Sequence, residues 1–161
     1  MNRPELIQVS EARAIAGPDV ALATKPGLAS AVTMTDQIDA RGPVCIVDDD
    51  VWVCDSLRVL LETYGFAVLA FASGVEFLND DRRRDAKCLV IDQQMPGLDG
   101  LDVVRTLQRD GVFLPAILIT GRLDAGIARR AGELGVRAIL EKPFPVARLV
   151  DLVRGTLAPP G

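Results

Sequence analysis

The sequence predicts an α/β fold, a doubly wound five-stranded parallel sheet with helices on both faces. Five short apolar runs alternate with five segments of helical spacing, the pattern of repeated strand–helix–strand units. The connections between them are short, and right-handed crossovers then leave few arrangements other than a doubly wound sheet. Acids, a hydroxyl and a lysine stand where four of the strands end. In a parallel sheet those ends share one edge, and that edge is where ligands collect.

Residues 1–42 precede the pattern. They carry Pro4, Pro18 and Pro26, with Gly17 and Gly27, no aromatic residue and no sustained apolar period. Glu5 to Ala16 suits a short helix, but the segment as a whole is expected to be a flexible extension. Residues 43–158 form the predicted domain, and 159–161 a short tail.

Within the domain each element has its own signal. Pro43 to Val47 is the first strand, and it ends in Asp48-Asp49-Asp50. Val53, Leu57, Leu60, Leu61 and Tyr64 recur at helical spacing, and Gly65 is a natural stop for that helix. Phe66 to Phe71 reads as the second strand. Ser73 caps a short helix with Val75, Phe77 and Leu78 as its apolar positions. Lys87 to Asp92 is the third strand, followed by the turn residues Met95-Pro96-Gly97. Asp99 caps a helix to about Arg109, with Leu101, Val103, Val104 and Leu107 on its apolar face, and Gly111 ends it. Pro115 to Thr120 is the fourth strand. Residues 122–134 make a weakly amphipathic helix with Gly126 and Gly132 inside it, each costing about 1 kcal/mol relative to alanine. Arg137 to Leu140 is the fifth strand. The last helix starts near Pro145 and runs to Leu157.

Composition narrows the function. The chain has 161 residues, a net charge of −4, three cysteines and no histidine. The absence of histidine removes imidazole acid–base catalysis, imidazole metal sites and a phosphohistidine carrier. Arg82, Arg83 and Arg84 are flanked by Asp80, Asp81 and Asp85, which makes a solvated turn of them rather than a nucleic-acid surface. No apolar run is long enough for a bilayer and no signal peptide is legible, so a cytoplasmic protein without membrane contact is expected. Cys45 and Cys88 lie inside apolar strands, and the odd number of cysteines fits buried free thiols.

The chemistry is concentrated at the strand ends. Asp48 and Asp49 end the first strand, Asp92 the third, Thr120 the fourth, and Lys142 follows the fifth. Three clustered carboxylates repel one another, so either a raised pKa or a cation must relieve them. A hard divalent ion with oxygen ligands, Mg²⁺ above all, suits the donor set. With that charge relieved, Asp92 is a candidate nucleophile for phosphoryl transfer, since carboxylates form acyl phosphates. Lys142 would set a positive charge on a phosphoryl oxygen, and Thr120 a hydrogen bond. Each residue alone is an ordinary turn or loop feature; their order across four strands gives the set its weight.

The runs IVDDD, IDQQMPGLDG, LITG and LEKPF, in this order and at these spacings, resemble the receiver domain of bacterial two-component response regulators. The closer likeness is to receivers of the FixJ type, through the acids and Ser56-Leu57 of the first helix, SGVEFL after the second strand, ITG and EKPF. The resemblance spans about residues 43 to 157. It implies a CheY-like, flavodoxin-like sheet of order 2-1-3-4-5. It implies Asp92 as phosphoacceptor, with Mg²⁺ held by Asp48, Asp49, Asp92 and the Gln94 backbone carbonyl. Lys142 and Thr120 would bind the phosphoryl group, Thr120 moving to do so, and the Lys142–Pro143 peptide would be cis. The donor would be a histidine kinase or a histidine phosphotransfer protein. Two features depart from the family. Ile139 stands where an aromatic switch residue is usual, and no output domain follows residue 157, as in a stand-alone receiver.

Two further residues stand out. Trp52 falls outside the apolar spacing of the first helix and suits either an exposed partner contact or a cover for the rim of the site. Gln94, two residues past Asp92, lies where family members tune the access of hydrolytic water.

The expected function is a phosphorylation-controlled interaction module. Its output would run through the face of the fourth helix, fifth strand and fifth helix, toward an unknown downstream protein or a second copy of the chain. Such a protein would phosphorylate and dephosphorylate itself at most and would not be an enzyme. The alternative within the same chemistry is a phosphate sink or relay intermediate, favoured by Ile139. The remote alternative is a haloacid dehalogenase-type phosphatase using Asp48 and Asp50, which would leave Asp92 and MPGLDG unexplained.

Overall fold

The structure, a computed structural model, describes residues 7–9 and 42–158. Its strands are β1 (Ile7–Val9), β2 (Val44–Val47), β3 (Val68–Phe71), β4 (Cys88–Asp92), β5 (Ala116–Thr120) and β6 (Ala138–Glu141). Its helices are α1 (Val51–Thr63), α2 (Gly74–Asn79), α3 (Gly100–Arg109), α4 (Ala125–Glu133) and α5 (Val146–Leu157). The sheet runs β1-β6-β5-β4-β2-β3, and every neighbouring pair is parallel. The five domain strands, β2 to β6, therefore lie in the order 2-1-3-4-5 of the resemblance.

β1 is an addition. Ile7, Gln8 and Val9 pair with Ala138, Ile139 and Leu140 along the outer edge of β6. This strand lies within the stretch read as a flexible extension, and at these three residues it replaces the helix suggested for Glu5 to Ala16. A three-residue strand is too short to show periodicity, and its pairing partner is at the far end of the sequence. The other residues of 1–41, including the rest of the suggested helix between Glu5 and Ala16, and the tail 159–161, lie outside the described residues.

Alternation along the strands sorts the core into two layers. Leu89 and Ile91 of β4 face a layer built with Phe77 of α2, Leu101, Val104 and Leu107 of α3 and Ala131 of α4. Cys88 and Val90 face the other layer, with Cys54 and Leu61 of α1 and Leu149, Val150 and Val153 of α5. Buried on both faces, β4 and β5 read as continuous apolar runs, which is why their sequences do not alternate. The three cysteines are buried and free.

Two helix faces differ from expectation. In α1, Cys54 and Leu61 are buried while the C-cap residue Tyr64 is exposed, because the helix leans its Cys54 side onto the end of β3, where the Cys54 thiol donates to the Phe71 carbonyl. In α2, Phe77 is buried and Val75 is exposed; the helix has six residues and only one side of it meets the sheet. The arginine run forms a 3₁₀ turn over Asp81–Asp85, and Arg82 pairs with Asp80 at 2.7 Å in solvent. No helix among the described residues is long and apolar enough to cross a membrane.

Candidate functional site

The carboxyl edge of the sheet gathers the residues singled out from sequence. β2 runs directly into Asp48, and β4 ends on Asp92. Both lie in the middle of the sheet, and they are 2 % and 5 % exposed. Asp49 is exposed beside them. One carboxylate oxygen from each of Asp48, Asp49 and Asp92 lies within 4.8 Å of the others. The third acid of the run is used differently. Asp50 N-caps α1, accepting from the amides of Trp52 at 3.0 Å and Val53 at 3.3 Å. Both bonds fall on Asp50 Oδ1, so this acid serves the helix rather than the cluster.

Lys142 enters from the end of β6, its own amide donating to the Thr120 carbonyl at 2.8 Å. Its ammonium stands 3.3 Å from Asp92 Oδ1. The contact is an ion pair without hydrogen-bond alignment, and Asp92 Oδ1 has no hydrogen-bond partner among the described residues. Asp48 Oδ1 accepts from the Asp50 amide at 2.9 Å, whereas Asp48 Oδ2 has none. The Lys142–Pro143 peptide is cis.

The electrostatics follow from this crowding. Burial pushes the Asp92 carboxyl above its ordinary pKa; Lys142 opposes the shift and Asp49 adds to it. Burial likewise raises Asp48, the Asp50 amide opposes this, and the Asp92 charge adds to it. Three acids face one ammonium, and two buried carboxylate oxygens have no hydrogen bond. Such a donor set, all oxygen and short of positive charge, is compatible with Mg²⁺.

Thr120, the last residue of β5, is fully buried. Its hydroxyl donates to the Arg122 carbonyl at 3.0 Å and accepts from the Arg122 amide at 3.2 Å. It also accepts from Gln94 Nε2 at 2.9 Å, and Gln94 Oε1 accepts from the Gly121 amide at 3.0 Å. Gln94 thus ties the loop after β4 to the loop after β5. Ile139 is buried against the α3 and α4 layer. Trp52 is 83 % exposed on the first turn of α1, so it does not cover the rim of the site.

Residues outside the cluster of acids, Thr120 and Lys142 hold this edge together. Gln93 is buried, and its side-chain oxygen accepts from the Leu101 amide at 3.0 Å while its backbone carbonyl accepts from Gly100 at 3.2 Å. These bonds seat the start of α3 on the end of β4. A Cβ on Gly100 would come within 2.6 Å of the Asp92 carbonyl, so only glycine allows that approach. Gly97, at φ +78°, turns the connecting loop. Glu141 accepts from the Leu123 amide at 2.6 Å and pins the loop before α4. Arg130 of α4 reaches back to Asp99 at 3.2 Å and Asp102 at 3.4 Å. Of these, Asp102 was legible as the N3 residue of a capping box begun by Asp99.

Known proteins share the sequence pattern and the fold. Residues 44–154 match the family described as response regulator receiver domain. The chain is 39 % identical over 115 residues to the transcriptional regulatory protein FixJ of Azorhizobium caulinodans, covering 71 % of this chain and 54 % of that protein. It is 36 % identical over 119 residues to the response regulator protein TodT of Pseudomonas putida, covering 74 % and 52 %. It spans about half the length of these curated relatives. Among solved structures, a response regulator receiver protein from Pseudoalteromonas atlantica superposes with a TM-score of 0.66 at 26 % identity, over 71 % of this chain and 95 % of that one.

Proposed function

The chain belongs to the response regulator receiver domain family, and from that premise we propose that it accepts a phosphoryl group on Asp92 and signals by changing its protein contacts. The donor is a histidine kinase or a histidine phosphotransfer protein. The observation that carries the reading is the pairing of a buried, incompletely bonded Asp92 with Lys142 at 3.3 Å and with Asp48 and Asp49 in one acidic cluster.

Each residue then has a task. Asp92 attacks phosphorus with a carboxylate oxygen; the phosphorus–nitrogen bond of the donor breaks, and the departing imidazole carries the electron pair and takes a proton. Lys142 holds a phosphoryl oxygen by charge. Thr120 turns its hydroxyl to another. Asp48, Asp49, Asp92 and the Gln94 backbone carbonyl are the groups that would hold Mg²⁺, which when bound neutralises charge on the carboxylates and the phosphoryl oxygens. Water attacks phosphorus, the bond from phosphorus to the Asp92 oxygen breaks, and inorganic phosphate leaves as the carboxylate is restored. The protein is consumed and regenerated as a carrier of state rather than acting as an enzyme on a separate substrate.

Movement of Thr120 biases α4, β6 and α5, where a downstream protein or a second copy docks. Exposed Trp52 offers a contact beside the acids for the donor. One observation favours the sink or relay reading as a second choice: Ile139 fills the β6 position with a small, fully buried aliphatic group, leaving no ring to move there.

Incubation with Mg²⁺ and acetyl phosphate, followed by intact mass, tests the chemistry. One phosphoryl group is expected on the wild type and none on Asp92→Asn. Absence of the added mass with acetyl phosphate and with a panel of phosphorylated kinases would leave a constitutive binding domain instead.

A further inference from the structure

The hydroxyl of Thr120 has no free bonding capacity. It donates its single proton to the Arg122 carbonyl and accepts two bonds, from the Arg122 amide and from Gln94 Nε2. The two bonds to Arg122 lie within its own loop, and the one Thr120 accepts travels with it. The bond to Gln94 does not, since Gln94 belongs to the loop after β4, 26 residues away in sequence. The same carboxamide accepts from the Gly121 amide, so one side chain grips two consecutive residues of the β5–α4 loop. The assignment of its oxygen and nitrogen is fixed by this pair: a backbone amide only donates, which leaves the NH₂ for the hydroxyl.

We propose that Gln94 is a latch on Thr120, a positioning residue that holds the β5–α4 loop at rest and so sets how readily phosphorylation switches the domain. This rests on the reading of Asp92 as phosphoacceptor and Thr120 as its hydroxyl partner. To bond a phosphoryl oxygen, Thr120 must withdraw its proton from Arg122 and carry its loop toward Asp92. Both bonds to Gln94 oppose that movement. Gln94 itself is exposed and its side chain makes no other hydrogen bond among the described residues, so its amide is free to be solvated once released. The resting state is therefore favoured by about two neutral hydrogen bonds, each of which water partly replaces when it opens.

The test uses the full chain and beryllofluoride, which occupies an acceptor carboxylate as a phosphoryl group does without being lost to hydrolysis. Gln94→Met keeps the length of the side chain beside Asp92 and removes both bonds; Gln94→Ala removes the bulk as well. At saturating Mg²⁺, both variants are expected to bind beryllofluoride about tenfold more tightly than the wild type, the scale of one to two neutral hydrogen bonds. Trp52, the only tryptophan, serves as the reporter next to the acids. Without beryllofluoride, the Gly121 and Arg122 amide resonances of both variants should move toward their positions in the beryllofluoride-bound wild type. Unchanged or weaker beryllofluoride binding in folded variants, with Gly121 in place, would overturn the latch, even if loss of phosphate became faster or slower. Failure of the wild type to bind beryllofluoride or to accept phosphate would instead overturn the phosphoacceptor reading on which it rests.

Discussion

The two core layers and the carboxyl edge of the sheet obey opposite rules. The layers on either side of β4 and β5 are closed: Ile91, Leu118, Ile117 and Ile119 are buried at 2 % exposure or less, among apolar neighbours. The edge a few ångströms beyond them buries Asp48 and Asp92 almost as deeply, but without completing their hydrogen bonds. A layer of that kind gains stability from each atom it excludes from water. A buried carboxylate without a full set of partners loses it. The contrast separates what holds the domain together from what is held ready for a ligand, and it can be challenged experimentally.

The largest effect is expected in the layers. Leu118→Ala leaves a cavity under α3 and should cost about 3 kcal/mol in urea unfolding. A cost below about 1 kcal/mol would mean that the layer is loosely packed and that the contrast with the edge is overstated.

The edge should respond with the opposite sign. In chelator-treated protein at neutral pH, Asp92→Asn removes a buried charge and should raise stability, on the order of 1 kcal/mol, the scale of an ordinary substitution. The pH dependence sharpens this. The Asp92 pKa is raised in the folded state, so the folded state binds more protons than the unfolded one between the ordinary carboxylate value and the raised one. Its favourable contribution is complete below the ordinary value, about 4, and is lost as pH rises through the raised value. The advantage of Asp92→Asn over wild type should therefore be greatest at pH 7 and shrink as pH falls toward about 4. An advantage that grows on acidification would show that Lys142 outweighs burial at this site. Mg²⁺ should stabilise the wild type more than the variant at pH 7.

The smallest effect belongs to β1. Backbone N–H groups point alternately to the two sides of a strand, so Gln8→Pro and Val9→Pro between them must remove one ladder donor to β6. Global stability should change by less than about 0.5 kcal/mol, since a three-residue edge strand opens far below the global unfolding free energy. Amide exchange of Ala138 to Leu140 should quicken in one of the two variants. No change in either would mean that β6 is protected by its inner partner β5 alone.

Much of this was legible from residue order because the signals were local and repeated. Asp99 and Ser73 cap α3 and α2 as their positions suggested, and Gly65 and Gly111 take the positive φ of helix stops. The acids, Thr120 and Lys142 were placed at one edge by a single rule of parallel sheets, that all strand ends share it. The illegible parts were non-local. Gln93 carries no spacing signal, yet its side chain seats α3; Gln94 was read for its distance from Asp92, while its bonds are to Thr120 and Gly121 across two loops. Val75 was taken as core because it is apolar, but which side of a one-and-a-half-turn helix meets the sheet is set by the sheet.

The sequence by itself determined the alternation of strands and helices, the class of the sheet and the residues gathered at its carboxyl edge, since hydrophobic period and turn chemistry act over a few residues and do not depend on the rest of the chain. Only the tertiary structure decided that Ile7–Val9 extend the sheet beside β6, that Asp50 caps a helix while Asp48 points a partnerless oxygen into the site, and that Gln94 grips Thr120. Those choices depend on which backbone and side-chain groups meet after the layers have closed, and distance along the chain says nothing about that meeting.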